Sequence, residues 1–445
     1  MAQRQAGTGH NSTAASAALY ERALRVMPGG STRATVYWPP HPPYAVEGKG
    51  CRIIDADGNA YLDFSNNFFS VIHGHAHPEI VAAVQKEAAK GMAFGLPTER
   101  DLELAEALTA RLPAAEQIRF CNSGTEAVMH AIKAARAYTG RHRIAKMEGG
   151  YHGSYDPIEV GFDCKPLNWG EASRPNSTAY LPGTPPSLLE DVLVLPFNDL
   201  AACEVLIAEH AKTLAAVMLD VLPARIGMIP ATAEFATGLQ ACCRRHGVLL
   251  IMDEIVTFRL HHGGAHERFG LRPDVLTLGK VIGGGQPVGA IAGSRDVMQV
   301  FDGHKGRAKV PQGGTFSANP LTMAAGLAAV RLLNEPALAD LETLGQRLCA
   351  GAANICARAP APWQITGLGS LFRIHPHTRS IRNFRDSYAQ PDEAERLGKL
   401  FGFFLAHGVL ITPNCAGALC TPMTEADVDE FLGILEAGLR SIGAA

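Results

Sequence analysis

Apolar positions along the chain follow two periods, and the changes between them lay out the fold. "IVAAVQKEAAKGM" (80–92) and "DLELAEALTARL" (101–112) repeat apolar residues every three or four positions, the period of a helix with one buried face. "IRFC" (118–121), "AAVMLDVL" (215–222), "VLLIMDE" (248–254) and "DVLTLG" (274–279) are short, almost unbroken apolar runs, as expected of strands buried on both faces. From about 78 to 330 the two patterns alternate, which predicts a mainly parallel sheet wrapped by helices. Ahead of it, "AALYERALRVM" (17–27) reads as a short helix stopped by "PGG", and "CRIIDADGNAYLDF" (51–64) as a hairpin around Asp57-Gly58. Residues 161–187 carry neither period and are rich in Pro, Gly and Ser, the mark of a long functional or mobile loop. The stretch 332–445 mixes helical pattern with the strand-like "WQITGLGSLFRIH" and "VLITP". We therefore expect a polar mobile arm at 1–16 and an N-terminal segment of a small domain at 17–77. A large domain at 78–331 and the rest of the small domain at 332–445 complete an α/β chain with an α+β appendage.

Composition narrows the class. A chain of 445 residues, 47% hydrophobic and 19% charged, can bury two or three domain cores. Its 40 basic and 43 acidic residues are interleaved, net −3, which argues against a nucleic-acid or anionic-membrane partner. No apolar run approaches the roughly 18 residues of a membrane span, and the N-terminal stretch lacks the apolar centre of a signal peptide. Ten scattered cysteines with no C-x-x-C pair suit the reducing cytoplasm.

Four clusters carry chemistry. In "FCNSGTEAVMHAIKAARAYTG" (120–140) a strand ends at Cys121 and a helix starts near Glu126. Ser123-Gly124-Thr125 between them offer free N–H groups and two hydroxyls, a ready phosphate site; Ser123-x-x-Glu126 is equally a capping box. In "VLLIMDEIVTFR" (248–259), Asp253-Glu254 end a buried-type strand, where a carboxylate needs a cationic partner, either a metal or a protonated ring nitrogen. "LTLGKVIGGGQPVG" (276–289) puts Lys280 at the end of the next strand, 27 residues after Asp253, so both reach the edge where open α/β sheets bind ligands. "GGYHGSYD" (149–156) supplies a flat ring, Tyr151, with His152, between glycines that permit close approach. A phosphate cup, a carboxylate and a lysine at one edge suit an aldehyde cofactor with a ring nitrogen and a phosphate, the lysine being its imine partner. His73, His75 and His77 lie in a loop with Gly, Ala and Pro and make a weak metal motif, and no G-x-G-x-x-G with a following acid points to a nicotinamide cofactor.

Taken in order, "GHAHPEI", "NSGTEA", "GGYHG", "DEIVTFR", "LGKVIGGG-PVGA" and "GGTFSANPLTMAAG" resemble class III pyridoxal-phosphate aminotransferases of fold type I, in the branch near glutamate-1-semialdehyde aminomutase. The resemblance runs from about 20 to 440 and implies pyridoxal 5′-phosphate as cofactor, held by Lys280. It makes Asp253 the partner of the pyridine nitrogen. Tyr151 and His152 become cofactor contacts, with Tyr151 as the stacking ring and Ile255 on the opposite face. Ser123, Gly124 and Thr125 become the phosphate cup. Thr315 resembles the threonine that such enzymes lend to the neighbouring subunit's phosphate, which implies a homodimer with sites at the interface.

The substrate reading rests on Arg33 in "MPGGSTRATVYW" (27–38), whose spacing after the proline resembles that of β-amino-acid aminotransferases, where this arginine binds the carboxylate. Departures matter too. "TPNCAGALCTP" (412–422) has Asn414 where many relatives carry a mobile arginine, and Cys415 where the aminomutase has a glutamate. "LDVLP" (219–223) replaces the usual "VEP", and Arg225 just beyond is a candidate replacement anion contact. Phe68, Phe69, Tyr37 and Trp38 are candidates for an aromatic-tolerant pocket, Phe68 and Tyr37 as substrate contacts. The expectation is a transaminase taking a carboxylate-bearing amine, foremost a β-amino acid, with a 2-oxo acid as acceptor. An aminomutase, a carboxylate-independent amine transaminase and a cofactor-binding sensor are the alternatives.

Overall fold

Seven short apolar runs lie side by side in the computed structural model, which describes residues 12–304 and 306–443. In chain order the strands are β1 (Ala45–Lys49), β2 (Arg52–Asp55), β3 (Ala60–Asp63), β4 (Gln117–Cys121), β5 (Arg143–Met147), β6 (Gly170–Glu171), β7 (Arg174–Pro175) and β8 (Val192–Leu195). They continue with β9 (Leu214–Leu219), β10 (Leu249–Asp253), β11 (Val275–Gly279), β12 (Gly289–Gly293), β13 (Gln364–Leu368), β14 (Leu371–His375), β15 (Val409–Leu410) and β16 (Ala416–Ala418). The large sheet has the order β4-β12-β11-β10-β9-β5-β8. Only β12 runs against its neighbours. Strands β9 to β12 are buried along their whole length, which is why their sequences are apolar runs and not alternations.

The predicted hairpin is present as β2–β3, and β15 joins β3 in parallel, so both halves of the chain contribute to the four-stranded sheet β1-β2-β3-β15. The first helix, Ala14–Leu24, starts before the expected boundary at 16, and Ser16 is 1% exposed. Its cause is Asp57 in the hairpin turn, whose carboxylate accepts from the Ala15 and Ser16 backbone N–H groups at 2.8 and 2.9 Å. The rest of the expected arm, 1–11, lies outside the described residues. The segment 161–187 is more ordered than its composition suggests. It contains the small β6–β7 hairpin, and Arg385 ties it down by donating to the Trp169 and Gly170 carbonyls (2.7 and 2.8 Å) while pairing with buried Glu148 (2.9 Å). Among the described residues no helix is long and apolar enough to cross a membrane.

Strand β12 passes close over the end of β4. A Cβ on Gly289 would lie 2.0 Å from the Ser123 carbonyl oxygen, so only glycine allows the two backbones to meet there. Gly289→Ala should therefore destabilise the protein by about 1–3 kcal/mol in urea unfolding. Gly433→Ala, in the helix Glu425–Gly443 with open space around its Cβ position, should instead add up to roughly 1 kcal/mol.

Candidate active site

Three neighbouring strands deliver charge to one edge of the sheet. β10 ends at Asp253, which pairs in register with Thr277 of β11, and Lys280 follows three residues later with φ 48°. Asp220 is the first residue past β9. All three side chains line one cavity of about 580 Å³. Ser123, Gly124 and Thr125 line it too, at the start of the helix Gly124–Thr139 that follows β4.

That helix start is capped and still leaves donors free. Ser123 Oγ accepts from the Glu126 N–H at 3.1 Å, so the capping reading holds. The return bond from Glu126 goes to the Asn122 N–H at 2.9 Å. Thr125 Oγ1 likewise accepts from the Ser154 N–H at 3.1 Å. Both hydroxyls are thus used as acceptors and keep their protons free to donate. Among the described residues the Gly124 and Thr125 N–H groups have no partner. Donors converging on the positive end of a helix form an anion site. A Cβ on Gly153 would sit 2.5 Å from Thr125 Oγ1, so glycine there lets the loop carrying Tyr151 and His152 close against the cup.

Asp253 is held from three sides. His152 Nδ1 lies 2.7 Å from Oδ2, and Oδ1 accepts from Thr277 Oγ1 and the Ile255 N–H, each at 3.1 Å. Glu254, the first residue past the strand, accepts from the Ala265 and His266 N–H groups and pairs with His266 Nδ1, so only Asp253 of the acidic pair lines the cavity. Burial depresses the Lys280 amine, opposed by Asp253 and Asp220. Burial, reinforced by Asp253, pushes the Asp220 carboxyl up to about 8.

Of the other expected residues, Tyr151, Ile255, Arg33 and Phe68 line this cavity. Tyr151 is 50% exposed with its ring 5.4 Å from that of Phe162. The remaining candidates lie elsewhere. Arg225 pairs with Asp163 (3.2 Å), lies over the Phe162 ring at 4.7 Å and is not among the residues lining this cavity. Tyr37 stacks on Tyr20 at 5.9 Å, is 41% exposed and is not among the residues lining this cavity. Phe69 is a core residue, and Trp38 lines an adjoining chamber. Thr315 lies in a separate depression with Phe94 and Leu96. The Cys415 thiol is fully buried and outside the cavity. Asp220 was not singled out from the sequence. It stands at the end of a buried strand as Asp253 does, but Val221 and Leu222 carry the apolar pattern on past it.

Comparison with known proteins places this geometry. Residues 39–437 match the family Aminotransferase class-III. The glutamate-1-semialdehyde 2,1-aminomutase of Methanothermobacter thermautotrophicus is 38% identical over 397 residues, covering 89% of this chain and 91% of that protein. The crystal structure of an omega-transaminase from Sphaerobacter thermophilus superposes with a TM-score of 0.94 at 48% identity, covering 96% of this chain and 98% of that one. A β-phenylalanine aminotransferase from Variovorax paradoxus gives a TM-score of 0.87 at 33% identity, covering 97% and 96%.

The raised Asp220 carboxyl has a measurable consequence. Folding favours its protonated form, so its contribution to stability is whole below the usual value of 3.8 and is lost as pH rises towards about 8. Asp220→Asn removes that titration. Between pH 5 and pH 8 the melting temperature of the cofactor-free variant should fall less than the parent's, by about 2–4 °C; parallel curves would contradict the assignment.

Proposed function

The chain belongs to the class-III aminotransferases and uses pyridoxal 5′-phosphate, and from that premise we propose that it moves an amino group from a β-amino acid to a 2-oxo acid. When bound, the cofactor supplies an aldehyde for the donor amine and a ring that takes up electrons. The residues around the cavity fit it. The free N–H groups of Gly124 and Thr125 and the hydroxyl protons of Ser123 and Thr125 suit its phosphate. Asp253, fixed by His152 and Thr277, suits its protonated ring nitrogen. Tyr151 and Ile255 supply flat and apolar surface for the two ring faces. Lys280 suits the covalent attachment, and once displaced by a donor amine its Nζ can take and return the substrate proton. Burial that lowers its pKa favours that role near neutrality.

The observation that carries the substrate class is Arg33, the one guanidinium lining the cavity among the described residues. A guanidinium on the cavity wall suits a donor that carries a carboxylate. Phe68 beside it offers apolar surface to an aryl or alkyl side chain. The similarity to a β-phenylalanine aminotransferase supports the same reading. Aminomutase activity is the second reading, favoured by the 38%-identical relative; the buried thiol of Cys415 puts no carboxylate in that region.

We further propose a homodimer. Thr315 and the exposed apolar side chains of Met92, Phe94, Leu96 and Phe316 suit burial against a second copy, which would receive Thr315 at its phosphate site. Thr315→Ala should then loosen the cofactor, read as a several-fold higher dissociation constant, although Thr315 lies outside its own chain's cavity.

The test of the reaction is a half-reaction followed through the cofactor's visible band. β-Phenylalanine and β-alanine should discharge it, and Arg33→Ala should raise KM for both about 10–100-fold, as loss of a charged hydrogen-bonded pair implies. Response to 1-phenylethylamine alone would mean a carboxylate-independent enzyme. Turnover of glutamate-1-semialdehyde, with none of the β-amino acids, would favour the aminomutase.

A further inference from the structure

Past β3 the chain runs through four consecutive residues in the left-handed region, Asn66 (φ 46°), Asn67 (48°), Phe68 (56°) and Phe69 (70°), none of them glycine. L-residues avoid that region because Cβ crowds the following carbonyl. Such backbone persists where its surroundings over-determine it, and here they do. The Asn66 N–H donates to Asp63 Oδ1 at 2.9 Å and Asn66 Nδ2 to the Ala418 carbonyl at 2.6 Å. The Phe69 carbonyl accepts from buried Arg259 at 3.4 Å, and the Phe69 ring packs with Leu222 and Met228. Bonds from Phe69 N–H to Ser65 O and from Ser70 N–H to Asn66 O, both 2.9 Å, close the turn.

The two residues this turn leaves facing outward are Asn67 and Phe68. Both line the Lys280 cavity together with Arg33. The same three residues also line the adjoining chamber of about 380 Å³, so they form a wall between two spaces. An exposed arginine on such a wall could point into either. Arg33 Nη1 donates to Asn67 Oδ1 at 3.0 Å, its one side-chain hydrogen bond among the described residues. Asn67 Nδ2 in turn donates to Ser70 Oγ at 3.2 Å, which fixes the amide with its oxygen towards the guanidinium.

We propose that Asn67 is a positioning residue that aims Arg33 into the Lys280 cavity, and that the left-handed turn is what brings its amide there. A neutral amide is the fitting partner, because it occupies one N–H group and leaves the positive charge for a substrate carboxylate. A carboxylate at position 67 would neutralise it. The inference rests on the reading of Arg33 as the carboxylate contact.

The test compares kcat/KM for β-phenylalanine with that for its uncharged amide, which differs only at the group Arg33 would bind. It is paired with titration calorimetry of 3-phenylpropanoate into the holoenzyme. Asn67→Gly keeps the left-handed backbone without strain and removes only the side chain. It should lower the acid-to-amide ratio five- to tenfold and weaken 3-phenylpropanoate by a similar factor. Asn67→Asp should lower the ratio at least tenfold, by pairing with Arg33. A ratio and an affinity within twofold of the parent in Asn67→Gly, while Arg33→Ala cuts the ratio tenfold or more, would overturn the role of Asn67 alone. Equal losses on acid and amide would overturn it too, as general damage to the site. A parent ratio near one that Arg33→Ala leaves unchanged would remove the carboxylate reading itself, and this proposal with it.

Discussion

A carboxylate at the end of a strand buried on both faces has little water to solvate it, and the protein around Asp253 is organised by that need. Its two oxygens take contacts from His152, Thr277 and the Ile255 N–H, which come from the Tyr151 loop, from β11 and from the turn after β10. Each contact also sets the place of something else. His152 brings Tyr151 to the cavity, Thr277 fixes the register that puts Lys280 three residues on, and the turn places Ile255 opposite. One buried side chain thereby holds the parts of the site against each other.

A second acid beside the first would be costly if both were charged, and burial next to Asp253 pushes the Asp220 carboxyl up to about 8. Burial thus disfavours the charged forms of both the Asp220 carboxyl and the Lys280 amine beside it. That balance belongs to the large sheet alone. Arg33 and the Asn66–Phe69 turn come from the N-terminal segment, so the groups proposed for substrate selection stand on a separate part of the chain from those proposed for the cofactor. Selectivity can then change with the catalytic groups left intact.

The sequence made the parallel sheet legible because its strands are apolar runs, and Asp253 and Lys280 legible because charge at the end of such a run stands out. Asp220 obeys the same rule but is masked by Val221 and Leu222, which continue the apolar pattern past the end of β9. Arg225 and Tyr37 show the opposite limit. Closeness along the chain gives no direction, and each meets a partner that local sequence does not announce: Asp163, 62 residues away, for one and Tyr20 for the other. The left-handed turn was hidden altogether, since "SNNFF" contains no glycine to announce it. The helix start at Ala14 was hidden because its cap, Asp57, lies in a hairpin more than 40 residues on.

Lys280 is the proposed point of cofactor attachment, on which the other proposed roles depend. Borohydride reduction of the holoenzyme locks a cofactor onto the lysine that carries it, and peptide mass mapping then identifies the residue. A single pyridoxyl-phosphate adduct on the peptide containing Lys280, lost in Lys280→Ala, is the expected result. An adduct on another lysine, such as buried Lys146, or no adduct in a protein that still turns over amines, would contradict it.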